Sequence, residues 1–310
     1  MNASHRAPLP ALSSPPGDRL EVVAAWDEAT PYQSWRPQAL VPPTFRPATA
    51  PQTFVVVNQK GGAGKTTTVV ELASSWAAQG LRVRVIDADH QEAALSQWLL
   101  PQYAEDGPRH SLRSVFFDEC SLLETTYPTL FEGIDIVPSG LDLVRVEYDR
   151  PIGAEQALAA ALAREAGQHG EAVPYDVTLI DCAPSLSLVT VAAMTAADQA
   201  LVPLSVGGLD LKAMASLDRT ITAVQQKNNP KLAVGAVFLT AWDKSGFARQ
   251  LASRVSEDYP EAAVFPIRRS VRAAEAPIAE QPVRVWAPES TAASDYEQSA
   301  GIILPQREAV

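Results

Sequence analysis

The sequence predicts an α/β fold, with a mostly parallel central sheet covered by helices on both faces. Three observations carry that prediction. Short apolar runs alternate with amphipathic stretches from about residue 52 to residue 304, the strand–helix grammar of a parallel sheet. The apolar run Phe54, Val55, Val56, Val57 leads directly into a glycine-rich turn and then an amphipathic stretch. Two other apolar runs end at or beside aspartates, at Asp87 and Asp181, and the carboxyl ends of parallel strands line the crevice where such sheets bind ligands.

The glycine-rich turn is the sharpest local signal. Gly61, Gly62 and Gly64 let the backbone bend tightly and bring several N–H groups to one point. Lys65 adds a point charge there, and Thr66 and Thr67 open a helix whose positive end faces the same spot. Every one of these features attracts anionic oxygens, so the turn is a phosphate cradle. The strict P-loop pattern is G-x-x-x-x-G-K-[ST]. Gly64, Lys65 and Thr66 satisfy its end, but Gln59 holds its first glycine position and a second lysine, Lys60, follows.

Composition narrows the setting. The chain has 310 residues, 46% of them apolar and 20% charged, enough to bury a sizeable core. A net charge of −11 excludes a global basic field, so any nucleic-acid contact must come from a local patch. Cys120 and Cys182 are the two cysteines, with no CxxC, which excludes a disulfide framework and suits a reducing compartment. No apolar stretch reaches the length of a membrane span, and the N-terminus lacks the apolar segment of a signal peptide. A cytoplasmic protein is expected.

Taken in order, residues 1–50 are proline-rich and are expected to be a disordered extension, with residues 20–26 its one apolar island. Residues 51–304 read as a single domain and 305–310 as a tail. After the turn, Val69, Leu72, Ala73 and Trp76 place an apolar stripe on a helix. Residues 81–86 form the next strand, followed by Asp87 and Asp89. A helix begins at 93–100; the stretch 101–113 carries little signal, and 111–128 reads as a short helical excursion. A strand at 133–138 precedes helices at 139–150 and 154–166, with a loop at 168–174. The strand at 175–181 ends in Asp181 and leads into Cys182, read as a packed small residue. Strands at 199–204, 231–240 and 263–267 alternate with helices at 211–226 and 247–259. Arg268, Arg269 and Arg272 then form the densest basic cluster, a candidate anion contact. Residues 290–303 are read as a closing helix without a basic amphipathic face.

Four segments, KGGAGKTTT (60–68), VIDADHQ (85–91), YDVTLIDCAPSLS (175–187) and VRAAEAP (271–277), together resemble the ParA partition ATPases. These belong to the deviant Walker A group of P-loop proteins, which also includes MinD. The resemblance implies an ATPase using ATP and Mg²⁺, with Lys60, Gly61, Gly62, Ala63, Gly64, Lys65, Thr66 and Thr67 binding the nucleotide. It implies Thr66, Asp87 and Asp181 at the metal, and Lys60, Asp89 and Asp181 as the catalytic set. In that group Lys60 corresponds to the lysine that reaches across a nucleotide-sandwich dimer. Arg269 and Arg272 correspond to basic positions in a region implicated in non-specific DNA binding, and Arg268, which stands where a proline is common, is expected to contact DNA with them. Here His90, Glu92 and Ala93 replace the proline, glycine and asparagine usual after the second aspartate; His90 is read as an exposed loop residue.

The function implied is DNA partition, of plasmid or chromosome. An ATP-bound homodimer would hold non-specific DNA, then release it upon hydrolysis that is slow and stimulated by a ParB-like partner. The protein would be nucleoid-associated, with no membrane partner. The alternatives are a related ATPase positioning a protein cargo on the nucleoid, a redox carrier resembling the nitrogenase iron protein, and a nucleotide-binding switch without turnover.

Overall fold

The computed structural model describes residues 38–48, 51–100, 109–169, 174–207 and 211–304. The apolar island at 20–26 with most of the N-terminal extension, the weak stretch at 101–108, the loop at 170–173 and the tail at 305–310 lie outside these described residues.

Apolar runs become strands where both faces of the sheet are to be buried. The strands are Gln52–Val56 (β1), Val83–Ala88 (β2), Tyr127–Pro128 (β3), Ile134–Val137 (β4), Val177–Cys182 (β5), Gln199–Ser205 (β6), Ala233–Trp242 (β7) and Ala263–Arg268 (β8). They form one sheet in the order β3-β4-β2-β5-β1-β6-β7-β8. All neighbours are parallel except β3 with β4. β1 lies between β5 and β6, so the chain's path reverses direction across the sheet beside β1. That is the topological switch point where such sheets bind ligands.

Side chains alternate along β1 and so feed two cores. Val55 packs with the helices Leu112–Phe116 (α3), Ala154–His169 (α5), Leu188–Ala196 (α6), Leu211–Lys227 (α7) and Gly246–Asp258 (α8) on one face. Phe54 and Val56 pack on the other face with Lys65–Ala78 (α1), Ala94–Leu99 (α2), Val283–Trp286 (α10) and Thr291–Ile303 (α11). Two short helices, Arg145–Asp149 (α4) and Val271–Glu275 (α9), complete the set. Trp76 of α1 stacks on Phe54 at 5.5 Å and donates its indole N–H to Ala300 O at 3.0 Å. The closing helix α11 is thereby fastened to the helix that follows the glycine-rich turn.

Several expectations shift. β2 runs two residues further than the sequence suggests, because its ladder with β5 continues through Asp87↔Asp181 and Ala88↔Cys182. The excursion at 111–128 is helical only over α3, and Tyr127 and Pro128 instead form the edge strand β3. A two-residue strand has no period to read, and proline is tolerated at an edge. Residues 139–150 break into a 3₁₀ turn, Leu141–Val144, and α4.

The extension is not all apart from the domain. Leu40 pairs with Val264 of the edge strand β8 through both backbone bonds, 2.9 and 2.8 Å. Ala48 N–H donates to Ile303 O at 3.1 Å, and Ala39, Phe45 and Ala48 pack against the core. Residues 38–48 therefore belong with the packed unit. Leu40 satisfies the Val264 N–H and C=O on an edge that would otherwise leave them open.

Candidate functional site

The site forms where β1, β2 and β5 end. Past Val57 the chain reaches Asn58, which is buried. Its amide donates to Pro203 O of β6, and its Oδ1 accepts the Lys60 N–H at 3.0 Å. This side chain holds the first bend of the turn against the neighbouring strand. Gly62 and Gly64 have φ of 71° and 94°, which an L side chain adopts only with strain. At Gly64 a Cβ would also approach Thr240 Cγ2 to 3.3 Å. Thr240, near the end of β7, donates its hydroxyl to Ala63 O at 2.9 Å and ties down the other side of the turn.

The first backbone bond of α1 runs from Thr68 N–H to Gly64 O, 2.8 Å. The amides just before it are the unpaired first turn of a helix and face outward as donors. Lys65 is buried, with Nζ 3.4 Å from Lys60 O. Lys60 itself is half-buried. Thr67 is half-buried beside it, and Thr68 Oγ1 meets the Tyr296 hydroxyl at 3.0 Å, anchoring the helix start to α11.

Two acidic strand ends lie alongside. Thr66 Oγ1 donates to Asp181 Oδ2 at 2.6 Å, joining the turn to β5. The other oxygen, Asp181 Oδ1, is buried without a hydrogen-bond partner. Asp87 is directly opposite Asp181 in the ladder. Its Oδ1 accepts from Asp89 N–H at 3.0 Å, and its Oδ2 from Ser96 N–H and Oγ–H at 2.8 and 2.7 Å. Asp89 Oδ1 accepts from Gln91 and Glu92 N–H at 2.8 and 3.3 Å, an Asx-type turn.

Burial pushes the Asp181 carboxyl up to about 8, with the Asp87 charge adding to it, while Thr66 and Lys65 pull the other way. Burial likewise raises Asp87 to about 6, offset by the Ser96 and Asp89 donors. Two adjacent buried carboxylates short of countercharge form a place that favours a cation. Among the described residues no group of three His, Cys, Asp or Glu could hold a metal by itself. A magnesium ion bound through one or two protein oxygens, with phosphates and waters completing its shell, needs no such group. The orphaned Asp181 Oδ1 and the Thr66 hydroxyl fit that kind of ion.

The basic cluster divides. Arg268 is only 2% exposed. Its Nη2 lies 2.6 Å from Asp295 Oδ1 and its Nε 2.9 Å from Asp295 Oδ2, and its backbone N–H donates to the same carboxylate. This corrects the expectation that Arg268 contacts DNA. Reaching a phosphate would break a buried ion pair, worth roughly 3–5 kcal/mol when one partner is removed. Arg269 and Arg272 are exposed, and Arg272 pairs with Glu275 at 2.8 Å. Val271, Ile278 and Trp286 are exposed on the same segment, Ile278 at 86%. The surface is mixed, not a basic stripe. His90 is half-buried with Nδ1 buried and unpartnered, rather than exposed. Cys182 is fully buried in β5, as a packed residue should be.

Sequence reasoning missed Asn58, Thr240, Ser96 and also Ser139, whose hydroxyl donates to Asp89 O at 3.0 Å. An Asx-turn signal two residues before Lys60 was available for Asn58. The others carry none, because their bonds join separate strands and helices rather than neighbours in one element.

A family model described as "AAA domain" matches residues 51–234. The chain is 35% identical over 237 residues to the chromosome partitioning protein ParA of Caulobacter vibrioides, covering 75% of this chain and 86% of that protein. It is 32% identical over 270 residues to an uncharacterized protein of Mycobacterium tuberculosis, covering 85% and 82%. Among solved structures, cobyrinic acid a,c-diamide synthase from Mycobacterium smegmatis, with bound ADP and magnesium, superposes with a TM-score of 0.66 at 28% identity, over 80% of this chain and 92% of that one.

Proposed function

The chain belongs to the ParA/MinD family of P-loop ATPases, and from that premise we propose that it is a DNA-partition ATPase. In this reading the ATP-bound form pairs face to face with a second copy and holds DNA without regard to sequence. Hydrolysis, slow alone and stimulated by a ParB-like partner, releases the DNA. The setting would be the cytoplasm, on the nucleoid.

The observation that carries the ATPase part is the contact of Thr66 with Asp181 beside an unpartnered, buried carboxylate oxygen. Lys65 and the amides of residues 61–67 would hold the phosphates. Thr66 and Asp181 would hold the magnesium, with Asp87 supporting them; the ion supplies countercharge to the phosphates and to these carboxylates. Asp89 would orient the attacking water, a role that needs position more than chemistry. Lys60 would meet the phosphates held by the second copy, so that the charge developing in hydrolysis is neutralised only in the dimer. The unit acting this way would span residues 51–304, with 38–48 docked to it. Arg269 and Arg272 would meet DNA phosphates.

The test is retention of the protein on DNA with ATP, with ADP and without nucleotide, at two salt concentrations. Binding should require ATP and weaken about a hundredfold between ~50 and ~200 mM salt, for about four phosphate contacts per dimer. Replacing Arg269 and Arg272 by Glu should abolish retention and leave ATP binding intact. Nucleotide-independent retention, or an ATP-driven reaction that needs a carboxylic-acid substrate and ignores DNA, would sink the partition reading.

A further inference from the structure

Four residues close a hydrogen-bonded ring where β2 and β4 end. Asp89 N–H donates to Asp87 Oδ1 at 3.0 Å. Ser96 Oγ–H donates to Asp87 Oδ2 at 2.7 Å, and Ser96 N–H to the same oxygen at 2.8 Å. Ser139 N–H donates to Ser96 Oγ at 2.9 Å. Ser139 Oγ–H returns to Asp89 O at 3.0 Å. Every proton has one acceptor, and the Ser96 hydroxyl donates and accepts at once. Such closed chains polarise one another and hold position better than separate bonds.

The ring joins three parts of the chain. Asp87 is the last residue but one of β2, Ser96 lies in α2, and Ser139 just beyond β4. Asp89 lies just past the strand, since β2 stops at Ala88. Both its backbone N–H and its carbonyl are nevertheless held within the ring. Its side chain uses Oδ1 for Gln91 and Glu92, and neither bond involves Oδ2.

We propose that Ser96 and Ser139 are positioning residues for hydrolysis: they act through Asp87 and the Asp89 backbone to fix where the Asp89 carboxylate stands. Neither serine needs to touch nucleotide. The proposal rests on the ATPase reading above, in which Asp89 orients the attacking water. Because water must be aligned for attack on phosphorus, a shift of about 1 Å in its holder costs on the order of a hundredfold in rate. Binding, which depends on the turn and Lys65, would be untouched.

The experiment uses the full-length chain and its variants Ser96→Ala, Ser139→Ala, the double variant, and Ser96→Thr. ATP kcat and KM, the affinity for a fluorescent ATP analogue, and thermal unfolding are measured on each. Each alanine variant should lower kcat about tenfold or more, with KM and analogue affinity within about twofold. The double variant should be little worse than either single one, since both break one ring. Ser96→Thr, which keeps the hydroxyl, should stay within about threefold of the parent chain. Unchanged kcat in both alanine variants overturns the positioning role while leaving the ATPase reading standing. So does a loss of kcat that tracks lost analogue affinity or lost folding, which marks an ordinary structural role. A parent chain that binds the analogue but never turns over ATP with magnesium overturns both readings.

Discussion

At the scale of single residues, the loop after β2 combines strain with compensation. Ala93 starts α2 with φ 48°, ψ 38° and offers no side-chain cap. Alanine in the left-handed region is disfavoured by roughly 1–2 kcal/mol. The free N–H of Ser96 in the first turn is satisfied from outside the helix, by Asp87 of the neighbouring strand, so the missing cap is supplied by tertiary structure. Ala93→Gly should therefore raise stability by about 1 kcal/mol, or about 2–4 °C in Tm for a domain of this size. A thermal melt checks this, and a fall in Tm would show that the alanine conformation carries no strain. Arg268 teaches the complementary lesson. Its place in a run of arginines suggests a surface charge, yet its guanidinium is buried against Asp295.

At the scale of elements, one joint holds α1 to α10. Glu71, on α1, is fully buried, and its carboxylate accepts the Val283 and Arg284 N–H groups at 2.7 and 3.3 Å. It caps a short helix that otherwise has no cap. Burial raises its carboxyl to about 7, partly offset by these two donors. With a folded pKa above the unfolded value, Glu71 contributes stability that is present below about pH 4.5 and is lost as pH rises through about 7. The loss is on the order of 3 kcal/mol. The Tm of Glu71→Gln relative to the parent chain should accordingly climb between ~pH 5 and ~pH 8. Subtracting the parent removes the parallel effect of Asp87 and Asp181. A constant difference across that window would mean Glu71 does not titrate there. A second joint pins α5 to the sheet: Arg84 of β2 pairs with Glu165 at 2.7 Å, lies over the Tyr175 ring at 4.6 Å, and is buried.

At the scale of the whole molecule, the proposed cycle makes turnover a property of two copies. Lys60 is backed by Asn58 on its amide and by Lys65 on its carbonyl, so its backbone is held while phosphate binding falls to the residues after it. Lys60→Ala should bind ATP within about threefold of the parent and lose at least about a hundredfold in hydrolysis. ATPase rate and equilibrium nucleotide binding decide this together; normal turnover would remove the lysine from the site. With an overall charge of −11, the proposed DNA attraction would fall to a few exposed arginines, which is why salt is the sensitive variable in the retention experiment.

The sequence by itself determined the cradle, the alternation of strands and helices, and the two acidic strand ends. These depend on local properties: glycines that turn the chain, unbroken apolar runs that need burial on both faces, and a lysine and threonine at a helix start. Only the tertiary structure decided what holds the cradle still and which charges face outward. Asn58, Thr240, Ser96 and Ser139 act through partners brought near by the sheet's strand order, and Arg268 is neutralised by a carboxylate on the closing helix. Short edge strands, the breaks within 139–150 and the docking of residues 38–48 were hidden for the same reason. A hydrogen bond between distant residues leaves no periodic trace in a sequence, whereas the burial of a whole face does.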